Sequence, residues 1–483
     1  MKKVTDLIAD IEIIHISGNI DISVSSISFD SRSVLNGSLF VALIGTLKNG
    51  NDFTQEAVNK GAHVIVSEHK TTVQNHTTTY IQVKDARIAL ALIARNFYDN
   101  PSEKLKLIGV TGTNGKTTTA TLLFQTFRLL GHKTALLSTI ENKINDEVFP
   151  ATHTTPDPIA LHSFLAQAVS KGCTYAFMEC SSHALHQKRT FGLYFTGALF
   201  TNLTHDHLDY HQTLEAYANA KKELFDNLPE YSFALANADD PWSAYILKDT
   251  YAKKYYFSLA EKNFSEFTGK IATESFDGLT LQVRDKKINT KLIGRFNAYN
   301  ILGIYATCII LGIPHDVLLT TITLLTPPPG RLEFIKSKSG VYAVIDYAHT
   351  PDALSNILST LRQISGVGTK VITVIGCGGN RDKEKRSLMG TISCALSDIS
   401  IFTSDNPRNE HIEDILSDMT KDAPKEKYIC IPDRSSAITH ACECAHPGDI
   451  VLVAGKGHEQ YQIFSDYKMH FSDKEEVEKN LNI

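Results

Sequence analysis

The sequence predicts an α/β protein of three domains: a small mixed α/β N-terminal domain (residues 1–98), a central P-loop parallel-sheet domain (99–330) and a C-terminal Rossmann-like α/β domain (331–483). Three observations lead there. Strand-like apolar runs alternate with helical patterns through the middle and end of the chain, as parallel strands joined by crossover helices do. One of those runs ends in Gly112-Thr113-Asn114-Gly115-Lys116-Thr117-Thr118, a glycine-bearing turn that opens a helical pattern. Pro327-Pro328-Pro329-Gly330 then breaks the alternation as a linker would. A length of 483 residues agrees, since at ~150 residues per domain such a chain holds about three.

The elements follow in order. In the first block, SLFVALIG (38–45) and HVIVSE (63–68) are short alternating runs punctuated by Asn49-Gly50 and Gly61. In the second, LIGVT, TALLST, YAFMEC, GALFTNL and FALAN read as strands, with helical spacing between them. After the prolines, VYAVIDY, KVITVIG, ISIFTSD and DIVLVAG alternate with helices again, which gives a second doubly wound unit.

Composition excludes several classes. A net charge of −5 with no basic run offers nothing to nucleic acid or a membrane surface. The N-terminus carries Asp6, Asp10 and Glu12 where a signal peptide would be apolar, and no segment approaches the ~20 apolar residues of a membrane span. Eight cysteines lack C-x-x-C spacing and read as buried thiols of a reducing cytosol. A cytoplasmic monomer acting on small molecules is expected.

The turn at 112–118 carries the first chemistry. Gly112 and Gly115 let backbone N–H groups fold around phosphate oxygens, Lys116 reaches the outer phosphates, and Thr117 or Thr118 offers a hydroxyl to magnesium (Mg2+). The helix beginning there favours anions at its N-terminus. Val110 stands where the strict G-x-x-x-x-G-K pattern has its first glycine, which points away from GTPases and ordinary ATPases. Strand ends of the same domain supply Glu179 and the run Thr204-His205-Asp206-His207-Leu208-Asp209-Tyr210-His211. Ligands sit at the carboxyl ends of such strands, so Glu179 and His207 are candidate metal ligands, while taken singly His205, His207 and His211 all read equally well as ordinary polar loop residues.

With these stand MECSSHAL, NLTHDHLDYH followed by Lys221, GRFNAYN, GRLE, DYAHTPDAL, GCGGNRDKEKR, DNPR and AGKGHE. Together and in this order they resemble the Mur ligase family over nearly the whole chain, with Asp30-Ser31-Arg32 as a weaker N-terminal match. The resemblance implies one domain for a UDP-sugar, one for ATP and one that brings an amino acid. It implies an ATP-dependent ligase of peptidoglycan synthesis, and hence of cell shape and division. In the mechanism it implies, ATP would phosphorylate the terminal carboxylate of UDP-MurNAc-L-Ala-D-Glu, and an amine would attack the resulting acyl phosphate. The third domain is expected to swing over the second about the region following Pro329-Gly330.

Site residues carried over by the resemblance are as follows. Lys116, Glu179, His207 and Lys221 are catalytic. Thr117, Glu179, His207 and a carbamylated Lys221 hold metal; without the family, a lysine in that helical pattern is a solvated surface group. ATP would meet Gly112, Thr113, Asn114, Gly115, Lys116, Thr117 and Thr118, with Asn297, Asn300, Arg331 and Asp346; Asn297 could instead cap a helix. The UDP-substrate would meet Ser31, the turn Thr46-Leu47-Lys48, Thr154, Thr155, Ser181, Gln187 and Arg189, although Asp30-Ser31-Arg32 could simply form a turn. The tetrad Asp405-Asn406-Pro407-Arg408 resembles members that take meso-diaminopimelate rather than lysine, because a planar guanidinium grips the extra carboxylate through two parallel hydrogen bonds. Arg381, Gly455 and Glu459 would complete that pocket. Folylpolyglutamate synthetase shares the chemistry, but DNPR and the N-terminal block argue against it. A regulator that has lost catalysis would show a broken metal set, and Lys116, Thr117, Glu179, His207 and Lys221 are all present.

Overall fold

The computed structural model describes residues 1–45, 48–70, 77–260, 265–366 and 368–481. Near the N-terminus a five-stranded sheet runs in the order Ile13–Ser17, Thr79–Val83, Ala62–Ser67, Ser38–Ala42, Ser26–Ser28. Only the Ile13–Ser17 edge is antiparallel. Helix Ala86–Phe97 covers one face with Ala86, Ala89, Leu90 and Ile93. Asp85 fixes its start by accepting from the N–H groups of Arg87 and Ile88.

The largest sheet has eleven strands. Its parallel centre runs Thr134–Leu137, Tyr175–Glu179, Lys106–Thr111, Gly197–Phe200, Phe233–Asn237, Lys253–Ser258. Helices lie on both faces, so the strands are apolar throughout rather than alternating, and Ile108, Phe177, Leu235 and Ala236 are buried. The flanks depart from the expected all-parallel pattern. On one side Glu141–Ile144 and Glu147–Pro150 form a hairpin, and on the other Phe267–Ser275, Gly278–Val283 and Lys286–Thr290 form an antiparallel meander. The connections at Asn145-Asp146 and Arg284-Asp285 each turn on a positive-φ residue (56° at Asn145 and at Arg284). Links that short can join only antiparallel neighbours.

The third sheet has six strands in the order Glu333–Lys336, Tyr342–Asp346, Ile450–Ala454, Val371–Ile375, Ile399–Phe402, Tyr428–Cys430, all parallel except the first. Arg434, fully buried, is held bidentately by Asp473 (2.7 and 2.8 Å) and donates to the carbonyl of Ala454 (3.0 Å). The linker is tied at both ends. Gln125, in the helix Lys116–Leu129, exchanges hydrogen bonds with the backbone of Thr326 (both 3.2 Å). Gly330, at φ 63°, lies backbone to backbone on Gly457: a Cβ at 330 would stand 2.1 Å from the His458 nitrogen. The cysteines form no disulfide, and two depart from the buried expectation: Cys430, on an edge strand, is exposed, and Cys444 is half-buried.

Candidate functional site

Lys106–Thr111 ends at the loop 112–115, and the helix Lys116–Leu129 begins directly after it. The glycines are required by contact. A Cβ at Gly112 would stand 1.9 Å from Thr201 Oγ1, and one at Gly115 would stand 2.6 Å from Asn300 Oδ1. Asn202 shapes the loop by accepting the N–H of Thr113 on its carbonyl (2.8 Å) and that of Asn114 on its side chain (2.9 Å). The N–H groups of residues 116–118 lie in the first helical turn, where the helix itself has no carbonyls for them. Lys116 Nζ folds back onto the carbonyls of Gly112 (2.9 Å) and Thr113 (2.8 Å), the posture of a cation above a loop built for anions. Burial pushes its pKa down, against the pull of Glu179 and Asp206.

Beside the loop a cavity of 160 Å³ gathers Lys116, Thr117, Glu179, His207 and Lys221. Glu179, fully buried at the end of its strand, accepts from Thr117 Oγ1 (3.0 Å), Thr139 Oγ1 (3.1 Å) and the Thr139 N–H (2.7 Å). His207, at φ 55°, brings Nε2 to 3.3 Å from Asp206 Oδ2, and its ring meets His183 edge-on at 4.9 Å. Burial takes its pKa down to about 3, so the imidazole is neutral, the form that ligates a metal. Lys221 is 1% exposed rather than solvated. Its Nζ donates to the Gly112 carbonyl (2.7 Å) and lies 4.3 Å from the centre of the Tyr217 ring. Burial, and then the neighbouring Lys116, hold its pKa well below the ordinary lysine value. Among the described residues no three His, Cys, Asp or Glu side chains converge as a metal cluster. A hydroxyl and one carboxylate suit a hard cation that takes its remaining oxygens from phosphate, water or a modified lysine, and the imidazole is a less usual partner for it. His205 and His211 stand apart from this cavity: His205 meets Asp382 (3.3 Å) and His211 bonds Ser182 (3.0 Å).

A second cavity, 310 Å³, opens from the other side of the loop between Asn114, Thr118, Asn297, Asn300, Arg331 and Asp346. Asn300 donates to Asn297 Oδ1 (3.0 Å), and Asn297 donates to the Ile293 carbonyl (2.8 Å), a contact that also steadies the start of helix Arg295–Ile310. Asp346 accepts the Leu332 N–H (2.7 Å), and burial raises its pKa to about 6 against the pull of Arg331. Arg331 reaches Thr117 Oγ1 (3.2 Å) and stacks on Tyr347 (4.5 Å). The sequence reading passed over Tyr347, His349 and Asp352, which line this cavity from the run 346–354. Asp352 takes a hydrogen bond from Asn114 (2.8 Å), fastening the third sheet's domain to the phosphate loop.

The residues expected at the UDP-substrate divide. Thr154, Thr155, Ser181, Gln187 and Arg189 form one network rooted at Glu179. Thr155 donates to the Glu179 carbonyl (2.7 Å) and accepts the Ser181 N–H (3.0 Å); Arg189 holds the Thr155 carbonyl (2.9 Å) and Gln187; Thr139 donates to Thr154 (3.0 Å). Ser31 lies apart, in a turn capped by Asp30, donating to Glu56 (2.9 Å). Lys48 is exposed, and Thr46 and Leu47 lie outside the described residues.

In the third domain Arg408, at φ 53°, donates its N–H to the Ile463 carbonyl (3.0 Å) and NH1 to the Gly379 carbonyl (2.7 Å). Burial, and then Arg381, push its pKa down. Gly379 must be glycine, since a Cβ would stand 1.9 Å from the Pro407 carbonyl, and at Gly455 one would stand 3.0 Å from Asp405 Oδ2. Asn406 donates to Glu459 (2.9 Å). Tyr347 joins this pocket to the phosphate side: it lines both cavities and its ring meets that of His458 at 5.1 Å.

Three family models match the chain: the Mur ligase family catalytic domain at residues 23–98, the Mur ligase middle domain at 110–308 and the Mur ligase glutamate ligase domain at 330–457. A UDP-N-acetylmuramoyl-L-alanyl-D-glutamate--2,6-diaminopimelate ligase from Cytophaga hutchinsonii is 48% identical over 98% of this chain and 97% of its own. A solved structure of an enzyme with that name superposes with a TM-score of 0.72 at 32% identity, covering 100% of this chain and 99% of the other. The MurF ligase of Thermotoga maritima in complex with ADP shares the fold, with a TM-score of 0.65 at 21% identity over 95% and 98% of the two chains.

Proposed function

The chain belongs to the Mur ligase family, and from that premise we propose that it joins meso-diaminopimelate to UDP-MurNAc-L-Ala-D-Glu at the expense of ATP, through an acyl phosphate, in cytoplasmic peptidoglycan precursor synthesis. Residues 1–98 serve the UDP-substrate, 99–330 ATP and 331–483 the amino acid, in a chain that works as a monomer. No helix among the described residues is long and apolar enough to cross a membrane.

The observation that carries the reading is convergence: Tyr347 lines the phosphate-loop cavity with buried Lys221, and it stands close enough to Glu459, Asp405 and Arg408 of the guanidinium and carboxylate pocket to feel their charge. Lys116 exchanges its carbonyl partners for phosphate oxygens as the nucleotide enters. The cavity between Asn114, Asn297, Asn300 and Asp346 takes the nucleoside. Thr117 and Glu179, with His207, would hold Mg2+, which would supply positive charge to offset that of the transferring phosphoryl group. Burial favours the neutral amine of Lys221, whose lone pair adds to the carbon of CO2; the amine gives up a proton and gains a carbamate whose oxygens would complete the metal set. Thr154, Thr155, Ser181, Gln187 and Arg189 lead the UDP-substrate's carboxylate to this point. Arg408 takes the distal carboxylate of the amino acid.

ADP release measured with UDP-MurNAc-L-Ala-D-Glu and each candidate amino acid tests this. Turnover should need the UDP-substrate and Mg2+ together, because no acyl phosphate forms without an acceptor carboxylate. Substantial ATP hydrolysis with neither UDP-substrate nor amino acid present would identify an ordinary ATPase instead.

A further inference from the structure

One cation in the C-terminal pocket has no role so far. Lys456 is wholly buried, on the turn that follows strand Ile450–Ala454. Its Nζ donates to Asn406 Oδ1 (3.1 Å) and to Glu459 Oε2 (2.8 Å), and Asn406 Nδ2 donates to the same Glu459 oxygen (2.9 Å). The three side chains thereby close a ring of hydrogen bonds. The Ile463 N–H gives Asn406 Oδ1 a second donor (3.0 Å), so the amide is fixed with its oxygen toward two donors and its nitrogen toward a carboxylate. A buried ammonium is tolerated only with a counter-charge, and Glu459 is that partner. The consequence falls on Glu459. Both contacts are on Oε2, and Oε1 has no hydrogen-bond partner among the described residues.

We propose that Lys456 is a positioning residue for the incoming amino acid: it turns Glu459 so that Oε1 is presented to the ammonium at the distal end of the substrate, beside the carboxylate that Arg408 takes. This rests on the reading of the pocket as a diaminopimelate site. Arg408 has anchors of its own at the Gly379 and Ile463 carbonyls, so loss of Lys456 weakens recognition of the distal amine and spares that of the distal carboxylate.

The test compares meso-diaminopimelate, 2-aminopimelate (no distal amine) and L-lysine (no distal carboxylate) as substrates of the wild type, Lys456→Met, Glu459→Gln and the double variant. In Lys456→Met the preference in kcat/KM for diaminopimelate over 2-aminopimelate should fall at least roughly tenfold, the worth of one charge-assisted hydrogen bond. The loss should appear in KM for the amino acid, with KM for ATP unchanged and the preference over lysine retained. Glu459→Gln should lower the same ratio, and the double variant no further, because both act through one carboxylate. An unchanged ratio in Lys456→Met overturns the proposal, as does an equal fall of both preferences, or a wild type that accepts 2-aminopimelate as readily as diaminopimelate. Should Lys456→Met not fold, Lys456→Arg is read in the same way: it keeps the charge, displaces the donor, and should lower the same ratio, an unchanged ratio again overturning the proposal. A wild type that does not use diaminopimelate at all refutes the pocket reading itself, which is a separate outcome.

Discussion

Replacing Arg408 with alanine exposes the substrate assignment most directly. Diaminopimelate and lysine share the reacting amine and its carboxylate, so discrimination has to arise at the distal end. NH1 of Arg408 is already given to the Gly379 carbonyl at 2.7 Å. The edge formed by Nε and NH2 therefore remains for a carboxylate, the geometry of a bidentate pair. Hydrogen bonds to a charged group are worth about 1.5–3 kcal/mol each, so even the lower figure taken twice gives about 3 kcal/mol, or roughly a hundredfold at 1.36 kcal/mol per decade. Lysine forgoes this and leaves that edge of Arg408 unpaired beside Arg381, with Asp405 and Glu459 only partly offsetting the two cations. The wild type should therefore favour diaminopimelate by at least roughly a hundredfold in kcat/KM, and Arg408→Ala should lose about that much with diaminopimelate while its trace activity on lysine barely changes. The left-handed backbone at φ 53° adds no complication, because arginine and alanine carry the same Cβ and meet the same strain there. ADP release at varied amino-acid concentration reads both numbers. Equal impairment with the two amino acids would mean that Arg408 serves the fold or ATP chemistry, and a wild type that prefers lysine would overturn the substrate itself.

Lys221→Ala should nearly abolish ligation, and short-chain carboxylic acids should restore part of it by replacing carbamate oxygens; full activity in the variant, measured as ADP release, would return Lys221 to a packing role. Gly112→Ala drives a Cβ to 1.9 Å from Thr201 Oγ1, which is held in turn by the Asn114 carbonyl at 2.7 Å. At an overpacking cost of about 1–3 kcal/mol the variant should stay folded but lose nucleotide binding, and wild-type ATP affinity by calorimetry would contradict the loop assignment. His162, on helix Pro158–Ser170, is fully buried with no hydrogen-bond partner for either ring nitrogen among the described residues, and burial, then Arg95, takes its pKa to about 3. The native state refuses a proton that the unfolded chain accepts near pH 6.5, so this residue's contribution is whole above pH 6.5 and is lost as pH falls toward 3, at up to about 1.4 kcal/mol per pH unit. His162→Leu should therefore raise the unfolding midpoint more at pH 5 than at pH 7.5, and an equal shift at both would refute the assignment.

The order of strands, the loop at 112–115 and the strand-end position of Glu179 were legible because apolar runs buried on both faces and a glycine before a helix are local signals. The antiparallel flanks were not, since a hairpin turning on Asn145 or Arg284 leaves little mark in the sequence beyond one polar pair. Lys221 shows the limit from the other side. Its helical spacing says surface, and only the assembled fold places it 2.7 Å from the Gly112 carbonyl. Asp352 and Lys456 escaped for a related reason: one is a polar residue in a helical run and the other a lysine in a glycine turn, and each acquires its role from a partner far along the chain, Asn114 and Asn406 respectively. Ser31, which the sequence also allowed as a plain turn, sits in such a turn and is not joined to the Glu179 network.

The contact between Gly330 and Gly457 sets a condition on any bending of the molecule. A residue pressed to within van der Waals distance of the turn bearing Lys456 and Glu459 travels with that turn, so bending cannot occur after Gly330 without prising the amino-acid pocket apart. On the other side Thr326 is moored to Gln125 on the phosphate-loop helix. What lies between is Pro327-Pro328-Pro329, whose rings lock φ, and the Pro328 carbonyl accepts the Arg331 N–H (3.1 Å), which ties Pro329-Gly330 into a turn. The joint is thus a stiff strut more than a swivel, and any movement of the third domain over the phosphate loop would be confined to a narrow arc.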